Sequence, residues 1–287
     1  MLEQPTPMAT GPSPTASTSI EVDGRRFVVC VGTPGESLEV DTSTGERVRL
    51  GRWSFDAHLS ALDRHASVTG QGLQFNADGF AREVLRGLKV PVAYQEELAP
   101  VALWWAAAGG YEASTGVQAD GWMRAGSVRA RLRPWTFSER SSALSESTHP
   151  SAGGGKEFRL ERYLRRMLQA SIVSLEPAGM ALSMLDGATT AALLDGAFAL
   201  NDTGGRDEDS RLKAADADSL AFAQGTLRLC KRLGWTPSQV WETPAVEIDR
   251  LLTLMELVEP SAPTARPVQR APSLADHPDA VVIQVED

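Results

Sequence analysis

Histidines are the first candidates for chemistry, because their pKa lies near neutral pH and their rings bind metal ions. The chain has four histidines, and the closest pair in sequence, His58 and His65, is seven residues apart. On a helix this spacing separates them by about 10.5 Å along the axis, at about 1.5 Å per residue, so one metal ion cannot bridge them. We interpret both rings as half-exposed partners of Asp56 and Asp63.

Two other stretches have the composition of a ligand site but not the spacing. Three glycines precede Lys156, yet Glu157 follows it and the G-x-x-x-x-G-K-[ST] pattern of a phosphate loop is absent, so residues 149–156 are predicted to be a flexible connector. Residues 207–209 are consecutive acids without the alternating spacing of a calcium loop, which predicts a solvated linker. The sequence therefore predicts no catalytic residue, metal site, cofactor or small-molecule substrate.

Adjacent tryptophans, Trp104 and Trp105, provide the strongest binding signal. Neighbouring residues on a helix point about 100° apart, so both indoles cannot easily enter the same core. We expect one ring to be buried and the other to mark a contact surface. Trp104 and Trp105 are therefore the candidate partner-binding residues.

The segments that position these residues repeat along the chain. Residues 47–62 and 129–144 share eight identities at a shift of 82, where unrelated windows would share about one. Both windows contain a Trp-Ser/Thr-Phe step, and after one inserted residue the match resumes between residues 75–85 and 158–168. The pattern predicts an internal duplication.

Local signals predict the secondary structure of the first unit. Alternating residues around Asp23-Gly24 and around residues 43–45 predict two hairpins. Ser54 and Asn76 are placed to cap two helices, and residues 96–108 form a third apolar helix that ends at two glycines. The first unit is expected to be a small antiparallel sheet followed by three helices.

The second unit is predicted to run through the same order. Residues 127–132 form a strand, Thr136 and Glu139 have the spacing of a capping box, and residues 160–172 and 187–200 form later helices. Two Thr-Pro helix starts then follow in an all-helical C-terminal segment.

The predicted fold class is α+β, mostly α, with two tandem similar units, each of short strands or hairpins followed by about three helices, a C-terminal helical group and disordered tails. The predicted boundaries are a disordered N-terminal tail at 1–18, a first unit at 19–110, a second at 111–201, a linker at 202–216, a C-terminal helical segment at 217–259 and a disordered tail at 260–287.

Composition excludes several partners. A net charge of −9 and a pI near 5.1 argue against a nucleic-acid binder, which needs a basic face. No apolar run approaches the roughly 20 residues of a membrane span. The N-terminal residues have neither a basic start nor an apolar core of a signal peptide, so we expect a cytoplasmic protein.

One family shares some of these patterns. The stretch RLRPWTFSER at 131–140, followed by a helix ending in the pattern of residues 163–168, resembles the T-even phage baseplate hub assembly chaperone family, which is also encoded beside extracellular contractile injection systems. Residues 233–252, LGWTPSQVWETPAVEIDRLL, are similar to segments of tail-assembly chaperones. The resemblance covers about 48–200 and, separately, 233–252, and this chain departs from the family by carrying the unit twice.

The resemblance implies a helper of baseplate or tail assembly with no catalytic residues. We therefore expect a non-enzymatic assembly chaperone or minor structural factor whose partners are baseplate, hub or tail proteins of a contractile particle, from an injection system or a prophage. A generic bacterial scaffold or adaptor is the alternative. An unrecognised hydrolase, built from carboxylates that meet only in space, is the third reading.

Overall fold

A computed structural model of the chain describes residues 17–69, 72–150, 156–201 and 218–258. The predicted linker at 202–216, the predicted disordered tail at 260–287 and residues 1–16 of the predicted N-terminal tail lie outside the described residues. Thr18, which was assigned to that tail, is instead the first residue of a strand. It pairs with Val29, so the first unit begins one residue earlier than predicted.

The first four strands form an antiparallel sheet in sequential order. They are β1 (Thr18–Val22), β2 (Arg25–Val31), β3 (Leu38–Asp41) and β4 (Arg47–Leu50). Asp23 and Gly24 have φ of 50° and 71°, the left-handed values that a type I′ two-residue hairpin requires at both positions. Alternate residues, such as Leu38 and Val40, are fully buried, so one face of the sheet covers a core.

Three helices and a second hairpin follow in the first unit. The elements are α1 (Phe55–His65), β5 (Ala66–Thr69), β6 (Gly72–Phe75), α2 (Ala77–Gly87), a 3₁₀ turn (Val92–Tyr94) and α3 (Gln95–Ala108). Ser54 accepts a bond from the Ala57 amide and Asn76 from the Gly79 amide, as the capping signals predict. α3 ends at Gly109, which has φ of 61°. The hairpin β5–β6 was not predicted.

The second unit has its own hairpin and three helices. Its elements are β7 (Trp122–Ala125), β8 (Val128–Leu132), α4 (Phe137–Ser147), β9 (Thr148–Pro150), β10 (Lys156–Phe158), α5 (Leu160–Ser171), β11 (Ile172–Glu176), a 3₁₀ turn (Leu182–Met184) and α6 (Gly187–Asn201). The predicted capping box is present: Thr136 accepts from the Glu139 amide and Glu139 accepts from the Thr136 amide. The prediction of a flexible connector is wrong at its ends, since Pro150 pairs with Lys156 in a short hairpin.

The order of elements recurs between the two units. Each has a hairpin, a helix, a second hairpin, a second helix, a 3₁₀ turn and a third helix, with β1–β2 and β11 as additions. This is the order that a duplication would produce, and the duplication itself stays a prediction.

Three further helices complete the described chain: α7 (Asp218–Leu233), α8 (Pro237–Glu242) and α9 (Ala245–Val258). The predicted α+β, mostly α class is confirmed.

Three hydrophobic cores lie along the molecule. The first is built from the four-stranded sheet with α2 and α3 and contains Leu38, Leu88 and Leu98. The second lies between the hairpin β7–β8 and helices α5 and α6. The third, around Leu229 and Ile248, joins the C-terminal helices. Helix α1 contributes Ala61 to the first core and Leu59 to the second, and α4 contributes Ala143 to the second and Phe137 to the third.

Candidate functional site

The two candidate partner-binding residues lie near the end of α3 in different environments. Trp105 is 2% exposed in the first core, and its indole N–H donates to the carbonyl oxygen of Gly51 at 2.9 Å. Trp104 is only partly buried against the same core, with its ring centroid 6.4 Å from that of Trp105. Trp105 is thus a core residue that a partner cannot reach in this fold. Trp104 remains the candidate partner-binding residue of the pair.

The two Trp-Ser/Thr-Phe steps form a more distinctive feature, which we call the first junction (residues 53–55) and the second junction (residues 135–137). In the first junction, Ser54 forms an isolated antiparallel bridge with Asp186, just before α6. The Phe55 amide donates to the Leu185 carbonyl at 3.0 Å, and the Gly187 amide donates to the Trp53 carbonyl at 2.5 Å. The start of α1 is therefore bound to the start of α6 by backbone hydrogen bonds.

The second junction repeats this pairing with a different helix. Thr136 forms an isolated antiparallel bridge with Pro244, just before α9. The Phe137 amide donates to the Thr243 carbonyl at 3.0 Å, and the Ala245 amide donates to the Trp135 carbonyl at 2.9 Å. Donors and acceptors occupy the same positions as in the first junction, so one docking arrangement occurs twice in the chain.

The two aromatic rings of each junction enter different cores. Trp53 is buried in the first core, whereas Phe55, two residues later, is fully buried in the second. Trp135 is buried in the second core and Phe137 in the third. Residues two apart in an extended segment would point the same way, but each Phe is already the first residue of a helix and turns away from the Trp. Each junction therefore links one core to the next.

Close packing holds the Trp53 ring between two helices. A Cβ atom built on Gly187, at the start of α6, would lie 2.1 Å from Cδ1 of Trp53. One built on Gly87, at the end of α2, would lie 2.3 Å from Cζ3 of the same ring. Real side chains cannot approach so closely, so both glycines are required where the indole sits.

Side chains extend the contact between α1 and α5. Nη2 of Arg165 lies 2.9 Å from Oδ1 of Asp56, and its guanidinium lies 4.9 Å from the ring centroid of Phe55. Ser60 donates to a carboxylate oxygen of Glu161 at 2.8 Å. Burial lowers the pKa of Arg165, but the hydrogen bonds with Glu161 and Asp56 outweigh it and hold that pKa above its usual value. The interface is polar at its rim and aromatic at its centre.

The helix after the second junction uses a buried ion pair. Nη2 of Arg140 on α4 lies 2.7 Å from Oδ1 of Asp249 on α9, and the two side chains are only 11% and 12% exposed. Phe137 stacks on Phe222 of α7 with centroids 4.9 Å apart. A planar, bidentate guanidinium–carboxylate contact sets the orientation of two helices as well as holding them together.

His58 lies beside the first junction, in the core. The Trp53 indole N–H donates to Nδ1 of His58 at 3.2 Å, so this nitrogen is the acceptor of a neutral ring. Burial lowers the pKa of His58 to about 4. At neutral pH the ring is therefore an uncharged part of the packing and has no free base facing solvent.

The predicted histidine–aspartate pairs are wrong. His58 is buried and bonded to tryptophan, and Nε2 of His65 lies 2.8 Å from a carboxylate oxygen of Glu83 on α2. Asp56 and Asp63 each lie two positions before a histidine on the same helix, and residues two apart on a helix do not face each other. Both aspartates instead contact the second unit.

The most connected polar group elsewhere is centred on Asp186. Its carboxylate accepts from the Thr189 amide at 2.8 Å, from the Thr189 hydroxyl at 3.0 Å and from the Tyr111 hydroxyl at 2.7 Å. Burial and the bond to Asp186 raise the pKa of Tyr111. Both carboxylate oxygens are already used to cap α6 and to fix Tyr111, which is a structural role.

The described residues contain no candidate metal site or membrane-spanning helix, and comparison with known proteins indicates no function. Within the described residues, no three histidine, cysteine or acidic side chains are placed to hold a metal ion. No helix in the described part of the chain combines the length and apolar character needed to cross a membrane. No protein-family model, curated protein or solved structure matches the chain.

The sequence repeat contains both junctions but does not indicate which segments they bind. The partners, residues 185–187 and 243–245, are more than 100 positions away in sequence. The only local signal for them is that each precedes a helix, Asp186 as a capping residue and Pro244 near a helix start. A pairing between two helix starts leaves no periodic pattern in a single sequence.

Proposed function

We propose that the protein is a non-enzymatic assembly chaperone or minor structural factor of a contractile tail or baseplate, acting in the cytoplasm by covering partner surfaces until they dock. The observation that carries this proposal is the repeated docking of strand-to-helix junctions onto helix starts. The chain uses one mode of contact twice for its own elements. A protein that recognises such elements in a partner would use the same backbone bonds and aromatic sockets.

The described polar groups support a binding role rather than a reaction. Asp186, Arg140 and Asp249 are engaged in capping or in ion pairs, and His58 is neutral and bonded. A general base needs a free acceptor within reach of a substrate proton. These groups instead orient helices, which is what a protein made to present surfaces requires.

The class of partner rests on the sequence resemblance. The stretch at 131–140 that resembles baseplate hub assembly chaperones is the second junction with its flanks, so the motif and the docking mode coincide. The proposed partners are baseplate, hub or tail proteins of a contractile particle. Two similar units in one chain would hold two similar partner elements, and the second contact would benefit from a high effective concentration.

A reconstitution experiment tests the proposal. The full chain is co-expressed with each baseplate, tube and sheath protein encoded beside it, and complexes are isolated by affinity and size-exclusion chromatography. We expect a defined complex with a baseplate or hub protein that is poorly soluble alone. Deleting the gene should stop particle assembly at the baseplate stage, and supplying the chain in trans should restore it.

Two results would count against this function. Normal contractile particles in the deletion strain would show that assembly does not need the protein. Stable binding to proteins unconnected with any tail, in a genome without neighbouring tube or sheath genes, would favour the scaffold or adaptor alternative. A Trp104→Ala variant belongs in the same experiment, because that ring is the remaining candidate contact of the tryptophan pair.

A further inference from the structure

The second unit has a face that receives α1. We call it the filled face and define it by Glu161 and Arg165 on α5 and Leu182 in the 3₁₀ turn before α6. Glu161 accepts from Ser60 of α1, and Arg165 pairs with Asp56 of α1. Leu182 is partly buried against the second core, and α1 packs on the turn that contains it.

The first unit has the corresponding face. Asp78 and Arg82 of α2 align with Glu161 and Arg165 at the shift of 83 that the sequence repeat has in this region. Val92 begins the 3₁₀ turn before α3, as Leu182 begins the turn before α6. Helix α2 packs on α3, as α5 packs on α6. We call Asp78, Arg82 and Val92 the open face.

The open face is exposed at each position where the filled face is covered. Val92 is 85% exposed, whereas Leu182 is partly buried. Asp78 and Arg82 are exposed and form no ion pair with any described residue, whereas both of their counterparts bond to α1. Phe75, three residues before Asp78 in the chain, is 48% exposed. The first unit thus has the side chains of this docking surface without a helix on them, while α3 begins directly after the 3₁₀ turn, so no segment corresponds to Leu185 and Asp186.

We propose that the open face binds the start of a partner helix with the composition of α1: an aromatic–Ser/Thr–aromatic step followed at once by a carboxylate. The carboxylate would pair with Arg82 as Asp56 pairs with Arg165, and a hydroxyl one turn later would reach Asp78 as Ser60 reaches Glu161. An aromatic ring would cover Val92. The inference rests on the proposed docking function, but not on the identity of the partner as a tail protein.

The occupant is a different protein rather than a second copy of this chain. Both junctions of the chain are already docked, the first on α6 and the second on α9. The C-terminal helices α7 to α9 receive a junction and are followed, in the described chain, by no further hairpin and helix. A second copy therefore has no junction to offer without unfolding an interface of its own.

Charge provides the sharpest test of this binding mode. The probe is a fluorescent peptide with the sequence of residues 49–65, which contains the first junction and all of α1. Anisotropy is measured as the full-length protein is added. We expect saturable binding that weakens about tenfold with Arg82→Asp, since a like-charge contact replaces an ion pair at the interface. A peptide with Asp56→Arg should bind the Arg82→Asp protein better than it binds the wild type.

Two variants complete the test. Arg250→Asp makes the same charge change at an exposed position on α9 and should leave peptide binding unchanged. Val92→Ser removes apolar surface from the open face without touching a core, and it should weaken binding at least about threefold. Circular dichroism confirms that each variant is folded.

The results that would overturn the proposal are specific. They are no saturable binding, equal binding by wild type and Arg82→Asp, or equal losses from Arg82→Asp and Arg250→Asp. Binding that requires deletion of residues 1–16 would assign the open face to that segment instead. Because this assay uses no tail protein, its failure leaves the baseplate reconstitution unaffected, and failure of the reconstitution leaves peptide binding unaffected.

Discussion

Lowering the pH from 7 to 4 should remove the stabilising contribution of His58. The ring is neutral in the folded protein because burial lowers its pKa to about 4, from 6.5 for an unperturbed histidine. Above pH 6.5 neither state binds the proton, and the full contribution is present. As the pH falls from 6.5 to about 4, only the unfolded state takes up the proton, so the free energy of unfolding decreases.

The size of the effect follows from the shift. A difference of about 2.5 pKa units at about 1.4 kcal/mol per unit corresponds to roughly 3 kcal/mol lost across this pH window. That is a large fraction of the 5–15 kcal/mol by which domains are typically stable. The loss should be complete near pH 4, where the folded protein also begins to take up the proton.

Urea unfolding followed by tryptophan fluorescence at several pH values measures this effect. His58→Asn is the informative variant, because its side-chain oxygen can accept the Trp53 bond at the position of Nδ1 and does not titrate. Carboxylates titrate equally in both proteins, so the difference between the two stabilities isolates His58. The free energy of unfolding of the wild type, relative to that of His58→Asn, should decrease by about 3 kcal/mol between pH 7 and pH 4. The same substitution at His149, which lies outside the three cores, is the reference.

Parallel stability curves for the wild type and His58→Asn would refute this reasoning. They would mean that burial leaves the pKa of His58 at its value in the unfolded chain.

Four further outcomes are expected. Arg140→Met should destabilise the protein by about 3–5 kcal/mol in urea, because it removes the guanidinium from a buried ion pair and leaves the Asp249 carboxylate without that counter-charge, and adding Asp249→Leu should recover most of the loss. Gly187→Ala should lower the melting temperature and shift the fluorescence maximum, because its Cβ would overlap the Trp53 ring; overpacking of this kind costs about 1–3 kcal/mol. Thr136→Ala should cost about 1 kcal/mol through loss of the capping box. Trp104→Ala should keep the circular dichroism spectrum and weaken capture of the proposed baseplate partner by about 1–3 kcal/mol.

Each of these outcomes has a clear contrary result. Full stability of Arg140→Met would show that Asp249 is solvated, and an unshifted spectrum for Gly187→Ala would show that the first junction has room. Normal stability of the Thr136→Ala protein would show that the capping box contributes little to the free energy of unfolding. An unfolded Trp104→Ala protein would make that ring a core residue, and normal capture by a folded one would place the interface elsewhere.

Local features of the fold could be predicted from the sequence. Ser54, Asn76 and Thr136 were identified as helix caps because a cap needs only a side-chain oxygen two or three residues before free backbone amides. Asp23-Gly24 predicted a hairpin because few pairs of adjacent residues can both adopt the left-handed conformation that a two-residue hairpin turn needs. These signals depend on neighbours in sequence, so they can be recognised without knowledge of any tertiary contact.

Features that depend on distant residues could not be predicted. Nothing near Ser54 indicates that it pairs with Asp186, 132 positions later. The sequence predicted a half-exposed His58 beside an aspartate, and only the fold shows that the ring is buried and accepts from Trp53. For the candidate contact, the sequence placed one indole of the Trp104–Trp105 pair in the core without identifying which.

The division of each junction between two cores has a consequence during synthesis. Phe55 and Leu59 leave the ribosome long before Leu193 and Leu194, with which they share a core. At typical rates of about 5–20 residues per second, the apolar side of α1 has no native cover for on the order of ten seconds. The nascent first unit therefore displays, for that interval, the same kind of helix start that we propose its own open face binds. A transient contact between them, within one chain or between neighbouring chains on a polysome, would have to be released before the first junction docks on the start of α6.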